Sequence, residues 1–214
     1  MIPVGAYTAA QVRAAEEPLL AAGVPLMRRA AAALAEVVAD MAPTRMLVLA
    51  GAGDNGGDAL FAGATPAACG VRVGILRTAD RVHGEALAAA LAAGAQLVDL
   101  ESAVAEDPEL VLDGMLGIGA RGGLRGRARD AVAALLAAAS RVVAVDLPSG
   151  LDPDDGASDG VVLPATITVT FGAAKAGLSR GDGPRLSGRI VLVELGLALP
   201  APVAEVAVAE IRQG

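Results

Sequence analysis

Residues 46–68 read Met-Leu-Val-Leu-Ala-Gly-Ala-Gly-Asp-Asn-Gly-Gly-Asp-Ala-Leu-Phe-Ala-Gly-Ala-Thr-Pro-Ala-Ala, and their order decides the fold. An unbroken apolar run (46–50) enters a glycine-rich loop (51–58), and an Ala-rich helical stretch follows (57–68). A strand buried on both faces reads as a continuous hydrophobic run, the mark of a parallel sheet covered by helices. Outward from this unit the pattern repeats. Further apolar runs lie at 71–76, 110–113, 142–147, 167–171 and 190–194, with a weaker one at 203–208. Helical stretches lie near 83–93 and 128–138. The alternation predicts one doubly wound α/β domain over residues 1–214, on a mostly parallel sheet. The later runs follow one another without long helices, which predicts a mixed edge there. At the other end, Thr8 and Gln11 form a capping box for a helix over 9–22. Gly23 ends that helix, and Pro25 starts a second one running to about residue 41, so an N-terminal helical arm is expected.

Composition narrows the function. The chain is 54% apolar and 19% charged, against about 25% charged in an average soluble protein, which excludes disorder. Its only aromatic residues are Tyr7, Phe61 and Phe171, so the core is built from Ala, Val and Leu. No bound ring can depend on an aromatic sandwich. Acids outnumber bases 24 to 17, and no Lys/Arg cluster exceeds two or three residues, which argues against nucleic acid as a partner. A single cysteine, Cys69, excludes a disulfide framework and fits a reducing cytoplasm. Placed in an apolar helical run, it reads as a small buried hydrophobe. One Cys and one His, His83, are too few soft ligands for zinc. No signal peptide and no apolar run of ~18 residues is present, so a soluble, unexported protein with no membrane partner is expected.

In a doubly wound sheet the ligand lies beyond the carboxyl ends of the strands. Four such ends here join glycine to an ionisable residue. The first carries Gly51 to Asp58, and the run 110–113 leads to Gly117-Ile118-Gly119-Ala120-Arg121-Gly122-Gly123. The third turns through Asp146-Leu147-Pro148-Ser149-Gly150-Leu151-Asp152, and Phe171 runs into Gly172-Ala173-Ala174-Lys175-Ala176-Gly177. Both 51–56 and 117–122 satisfy Gly-x-Gly-x-x-Gly, but with 27 glycines in the chain such a match carries little alone. The acids of the first loop say more. Asp54 and Asp58 repel an anionic ligand unless a cation intervenes. The bland alternative is that Asp54 caps the following helix and Asp58 sits in its first turn. Both acids together favour a cation or a hydroxyl-rich ligand. Asp113 and Asp146 each end an apolar strand, either as loop-capping acids or as functional groups. Lys175 is the only lysine, and its apolar flanks suggest a partly desolvated ammonium, with a solvated surface lysine as the bland alternative.

Four ordered motifs now carry a resemblance. Gly-x-Gly-Asp-Asn-Gly-Gly-Asp (51–58), Asp-x-x-Leu-Gly-x-Gly-x-x-Gly (113–122), Val-Asp-Leu-Pro-Ser-Gly-Leu-Asp (145–152) and Thr-Phe-Gly-Ala-x-Lys-x-Gly (170–177) together resemble the NAD(P)H-hydrate epimerase family. This is the domain that forms the N-terminal half of YjeF-type proteins. The resemblance implies a Rossmann-like three-layer αβα sandwich and an isomerase of metabolite repair. Its substrates are the R and S forms of NADHX and NADPHX, cofactors hydrated at C6 of the nicotinamide ring. It also implies a potassium ion (K+) on Asn55, Asp113 and Ser149. Substrate contacts would come from Asp54, Asn55, Gly56, Gly57 and Asp58, from residues Gly117 to Gly123, and from Asp146. A homodimer is implied, as is a dehydratase fused to this domain or working beside it. Arg28-Arg29 after Met27, Asp54, and Ala174 and Ala176 beside Lys175 depart from the family pattern.

NAD(P)HX is a hemiaminal, with a hydroxyl on the carbon beside N1. Its configuration inverts if the hydroxyl leaves to form a planar iminium and water returns on the other face, or if the ring opens and recloses. Both routes need an acid and a base, worth typically 10²–10⁴-fold. Asp146 is the candidate, with Lys175 orienting it or binding phosphate. No redox step occurs. Two rivals remain: an NADP-dependent dehydrogenase with Arg77 on the 2′-phosphate, and a non-catalytic dimeric scaffold of the same fold, as in an enhancer of mRNA decapping. The chain lacks the Tyr-x-x-x-Lys pair of the first and keeps the acids that the second would lose. His83 is expected on the exposed side of its helix.

Overall fold

The computed structural model describes residues 1–119, 122–138 and 140–214, so Ala120 and Arg121 of the expected substrate loop lie outside the described residues. The chain runs β1 (Ile2–Tyr7), α1 (Ala9–Ala21), α2 (Leu26–Asp40), β2 (Arg45–Ala50), α3 (Asp54–Ala68) and β3 (Arg72–Arg77). Then come α4 (Gly84–Ala92), β4 (Gln96–Leu97), α5 (Leu100–Ala105), β5 (Leu110–Gly114), α6 (Gly126–Leu135) and β6 (Arg141–Val145). The last third holds β7 (Ile167–Phe171), β8 (Ala174–Lys175), α7 (Gly183–Leu186), β9 (Arg189–Glu194), β10 (Ala204–Val208) and β11 (Glu210–Gln213).

Eight strands form one sheet in the order β11-β9-β7-β6-β5-β2-β3-β4, and every neighbouring pair is parallel. Its two faces explain the unbroken apolar runs. In β2, Met46, Val48 and Ala50 pack under α2, α3 and α4 beside Leu34, Val38 and Leu60. Leu47 and Leu49 point the other way, to Ala103 of α5 and Val132 and Leu135 of α6. The fold is therefore a Rossmann-like three-layer αβα sandwich. A third apolar cluster joins Leu178, Ile190 and Leu192 to Ala6, Val206 and Val208.

Several expectations are corrected. The late edge is parallel, not mixed. A parallel crossover needs a dozen or more residues but no long helix, and the loop 146–166 and the short elements between β7 and β9 supply that length. The N-terminal arm is not helical throughout: β1 precedes α1 and joins a small second sheet, β10-β1-β8, pairing antiparallel with β10 and parallel with β8. The capping box on α1 is present, with Gln11 N on Thr8 Oγ1 and Thr8 N on Gln11 Oε1. Helix α3 begins at Asp54, inside the stretch read as loop. Cys69 is exposed at the end of α3 rather than buried. His83 is the N-cap of α4, its Nδ1 accepting from Ala86 N and its ring set edge-on to Phe61. Among the described residues no helix is long and apolar enough to cross a membrane.

Candidate active site

The two glycine loops interlock at the carboxyl ends of β2 and β5. A Cβ on Gly51 would lie 1.8 Å from Met115 O, and one on Gly117 would lie 2.3 Å from Asn55 Oδ1. Only glycine permits either approach. Asn55, in the first turn of α3, donates from Nδ2 to Leu116 O (3.2 Å) and Val145 O (2.5 Å), tying the helix to the ends of β5 and β6.

Asp113 is fully buried at the end of β5. Its Oδ1 accepts from Ser149 Oγ (2.6 Å) and Met115 N (3.3 Å), and its Oδ2 from Ser149 N (2.9 Å). Ser149 Oγ in turn accepts from Leu116 N (2.9 Å). Burial pushes the Asp113 carboxyl up, and the Ser149 and Met115 bonds pull it back. Among the described residues no side-chain cation pairs with it. Asn55 and Ser149 thus both bond to the backbone of Leu116, and Ser149 carries the network on to Asp113. Among the described residues no group of three or more His, Cys, Asp or Glu could hold a metal ion. This donor set suits an alkali cation, not a transition metal.

Asp146 follows β6 with φ at 72°, a left-handed conformation that costs a non-glycine residue on the order of 1–3 kcal/mol. The surroundings impose it. Asp146 N donates to Val169 O (2.7 Å), while Oδ1 accepts from Thr170 Oγ1 (3.2 Å), Phe171 N (3.2 Å) and Lys175 Nζ. Lys175 is 1% exposed and donates also to Phe171 O (2.9 Å) and Thr170 Oγ1 (3.3 Å). All three ammonium protons end on protein. Lys175 therefore orients Asp146 and has no free proton for a phosphate.

Asp58 lies one turn further along α3, 6% exposed, with its Oδ1 enclosed and without a hydrogen-bond partner. Burial pushes its carboxyl well above the usual range; the charges of Asp146, Asp54 and Glu16 push the same way, and Lys175 opposes them. Asp54 is exposed and is the first-turn acid of α3, whose N-cap is Gly53. Neither acid follows the bland expectation of cap and first turn.

Glu16 was not expected. It is half-buried on α1, where burial raises its carboxyl, Lys175 opposes, and Asp146 and Asp54 add to the rise. Its one sequence signal is its spacing from buried Val12, four residues earlier on the same helix face. Helix α1 also reaches the second glycine loop, Arg13 donating to Ile118 O, and Ala9 N donates to Asp154 Oδ1 (2.7 Å). Gly117, Gly122 and Gly123 line a cavity of about 300 Å³ with Leu147, Pro148 and Gly150. A separate cavity of about 510 Å³ holds Arg77 and Arg127 with Asp80, Asp99 and Asp130. Arg77 and Arg127 both bond to Asp80 there, and the excess of acids disfavours a 2′-phosphate.

Residues 23–177 match the family described as YjeF-related protein N-terminus. A Microbacterium testaceum protein named NAD(P)H-hydrate epimerase is 62% identical over 203 residues, covering 91% of this chain and 79% of that one. A protein of the same name from Clavibacter michiganensis subsp. michiganensis is 51% identical, over 90% of this chain and 91% of that one. A Mycobacterium tuberculosis protein named bifunctional NAD(P)H-hydrate repair enzyme is 42% identical, covering 90% of this chain and 42% of the longer one. Among solved structures, the yeast protein ynu0 superimposes with a TM-score of 0.72 at 18% identity, over 82% of this chain and 84% of that one. This last likeness is one of fold.

Proposed function

The chain belongs to the YjeF-related protein N-terminus family, and from that premise we propose that it is an NAD(P)H-hydrate epimerase, interconverting the R and S forms of NADHX and NADPHX. The observation that carries the reading is Asp146, an acid at the ligand edge of the sheet whose Oδ1 is fixed by Lys175, Thr170 and Phe171. A carboxylate so anchored can hold and move a proton at the C6 oxygen without changing place. Lys175 holds it in orientation. Residues 54–58 and the described glycines of the second loop, Gly117, Gly122 and Gly123, would contact the dinucleotide.

The donor set of Asn55, Asp113 and Ser149 would hold a potassium ion. When bound, it supplies positive charge beside an acid-lined loop that has to receive a dinucleotide phosphate. A homodimer and a cytoplasmic location rest on the family resemblance and the cysteine usage; α2 already packs on α3 of its own chain. The S epimer is the form a dehydratase would then repair.

Incubation with R-NADHX tests the reading: the S epimer should accumulate to an equilibrium mixture far faster than without protein. Unchanged R-NADHX over the same period would overturn it.

A further inference from the structure

Asp58 is a buried acid with no structural partner for one of its oxygens. Buried carboxyl oxygens that serve a fold are hydrogen-bonded, and Asp58 Oδ1 is enclosed without a donor. Its position is specific. Asn55, three residues earlier on the same helix face, is bonded to Val145 O, and the next residue is Asp146. The charged groups facing Asp58 are Asp146 beyond β6, Asp54 on its own helix, Glu16 on α1 and Lys175 on β8. On the α2 and α4 sides, Arg28 is engaged by Glu85, and His83 Nδ1 is taken by Ala86 N. Burial and three neighbouring acids push the Asp58 carboxyl well up, while the one opposing charge, Lys175, is already paired with Asp146. Two acids at one site thus stand in opposite environments, one ion-paired and one unpaired, an arrangement that divides acid from base.

We propose, resting on the epimerase reading, that Asp58 is the general acid that protonates the departing C6 hydroxyl, while Asp146 is the base for the returning water. The Asp58 proton passes to the C6 oxygen, and the C6–O bond breaks to release water. The N1 lone pair forms the C6=N1 iminium. Water then adds to the opposite face, its proton passes to the Asp146 carboxylate, and the C6=N1 pair returns to N1. One proton has moved from Asp58 to Asp146, and exchange with solvent restores both.

Asp58→Asn keeps the shape and removes the transferable proton. Its kcat should fall by roughly 10²-fold or more, with KM within about threefold of wild type. Wild-type kcat/KM should fall as pH rises above the ordinary carboxylate range, and the residual activity of the variant should lack that fall. A folded Asp58→Asn protein with wild-type kcat overturns the proposal. If the variant does not fold, the wild-type profile decides, and the absence of an alkaline fall overturns it. Wild-type protein that leaves R-NADHX unchanged fails the epimerase reading itself; turnover by wild type and variant alike fails only the role of Asp58.

Discussion

Two aspartates stand at the ends of adjacent parallel strands, Asp113 at the end of β5 and Asp146 just past β6, and the protein compensates them differently. Asp146 is given a permanent cation, Lys175, at hydrogen-bond distance. Asp113, more deeply buried, receives only dipoles: the Ser149 hydroxyl and amide and the Met115 amide. Burying an unpaired charge is costly, so on the proposed function the second site is the one that would take an ion from solution. The first is built to keep one carboxylate in place. Both are buried acids at strand ends, yet one is held by an ion pair and the other by neutral donors alone.

The sharpest way to break the comparison is Lys175→Met. It leaves Asp146 buried without its counter-charge, and stability should drop by about 3–5 kcal/mol in denaturant titration. A loss under about 1 kcal/mol would mean that the ion pair is as dispensable as a surface pair. Next comes Asp146→Asn, for which epimerisation should fall by roughly 10²-fold, about 2.7 kcal/mol in the barrier. Stability should fall too, because Lys175 then lacks a partner, so turnover is to be measured under conditions where the variant is folded.

Asp113→Asn sharpens the other half. The amide cannot accept at both positions, and a loss of about 1–3 kcal/mol is expected. Wild-type Tm should rise with potassium chloride relative to choline chloride, and this variant should show no such rise. The smallest effect concerns Asp58 and pH. Its carboxyl is raised in the fold, so its contribution to stability is whole below the ordinary carboxylate range and is lost as pH rises through the raised value. Asp58→Asn should therefore lose less stability than wild type as pH rises above the ordinary carboxylate range. Parallel curves would show that Asp58 does not titrate there.

What could be read beforehand depended on whether the signal was local. The central strands were legible because both faces of each are buried, and Lys175 stood out as a lone lysine among apolar neighbours. The two-residue strands β4 and β8 and the six-residue α5 are too short to display a period. The start of α3 is hidden because Gly56 and Gly57 read as loop; the demand for glycine at 56 is tertiary, since a Cβ there would lie 2.2 Å from Gly51 O. Glu16 and the enclosed oxygen of Asp58 were invisible for the same reason. Both depend on tertiary burial, which no window of sequence contains.

The pairing of β1 also sets when the protein becomes competent. Strand β8 has two residues, held by Ala6↔Ala174 and Tyr7↔Lys175, while the same β1 pairs along its length with β10. The lysine that anchors Asp146 is thus positioned by a strand nearly a whole domain away in sequence. Contacts of such separation form late, after loop-closure entropy has been overcome. A chain made from its N-terminus onward can lay down β2, α3 and the first glycine loop early, yet it cannot complete the site until residues 204–208 exist to seat β1. Activity should therefore appear as the last event of refolding, behind the burst of helix signal from the Ala-rich layers.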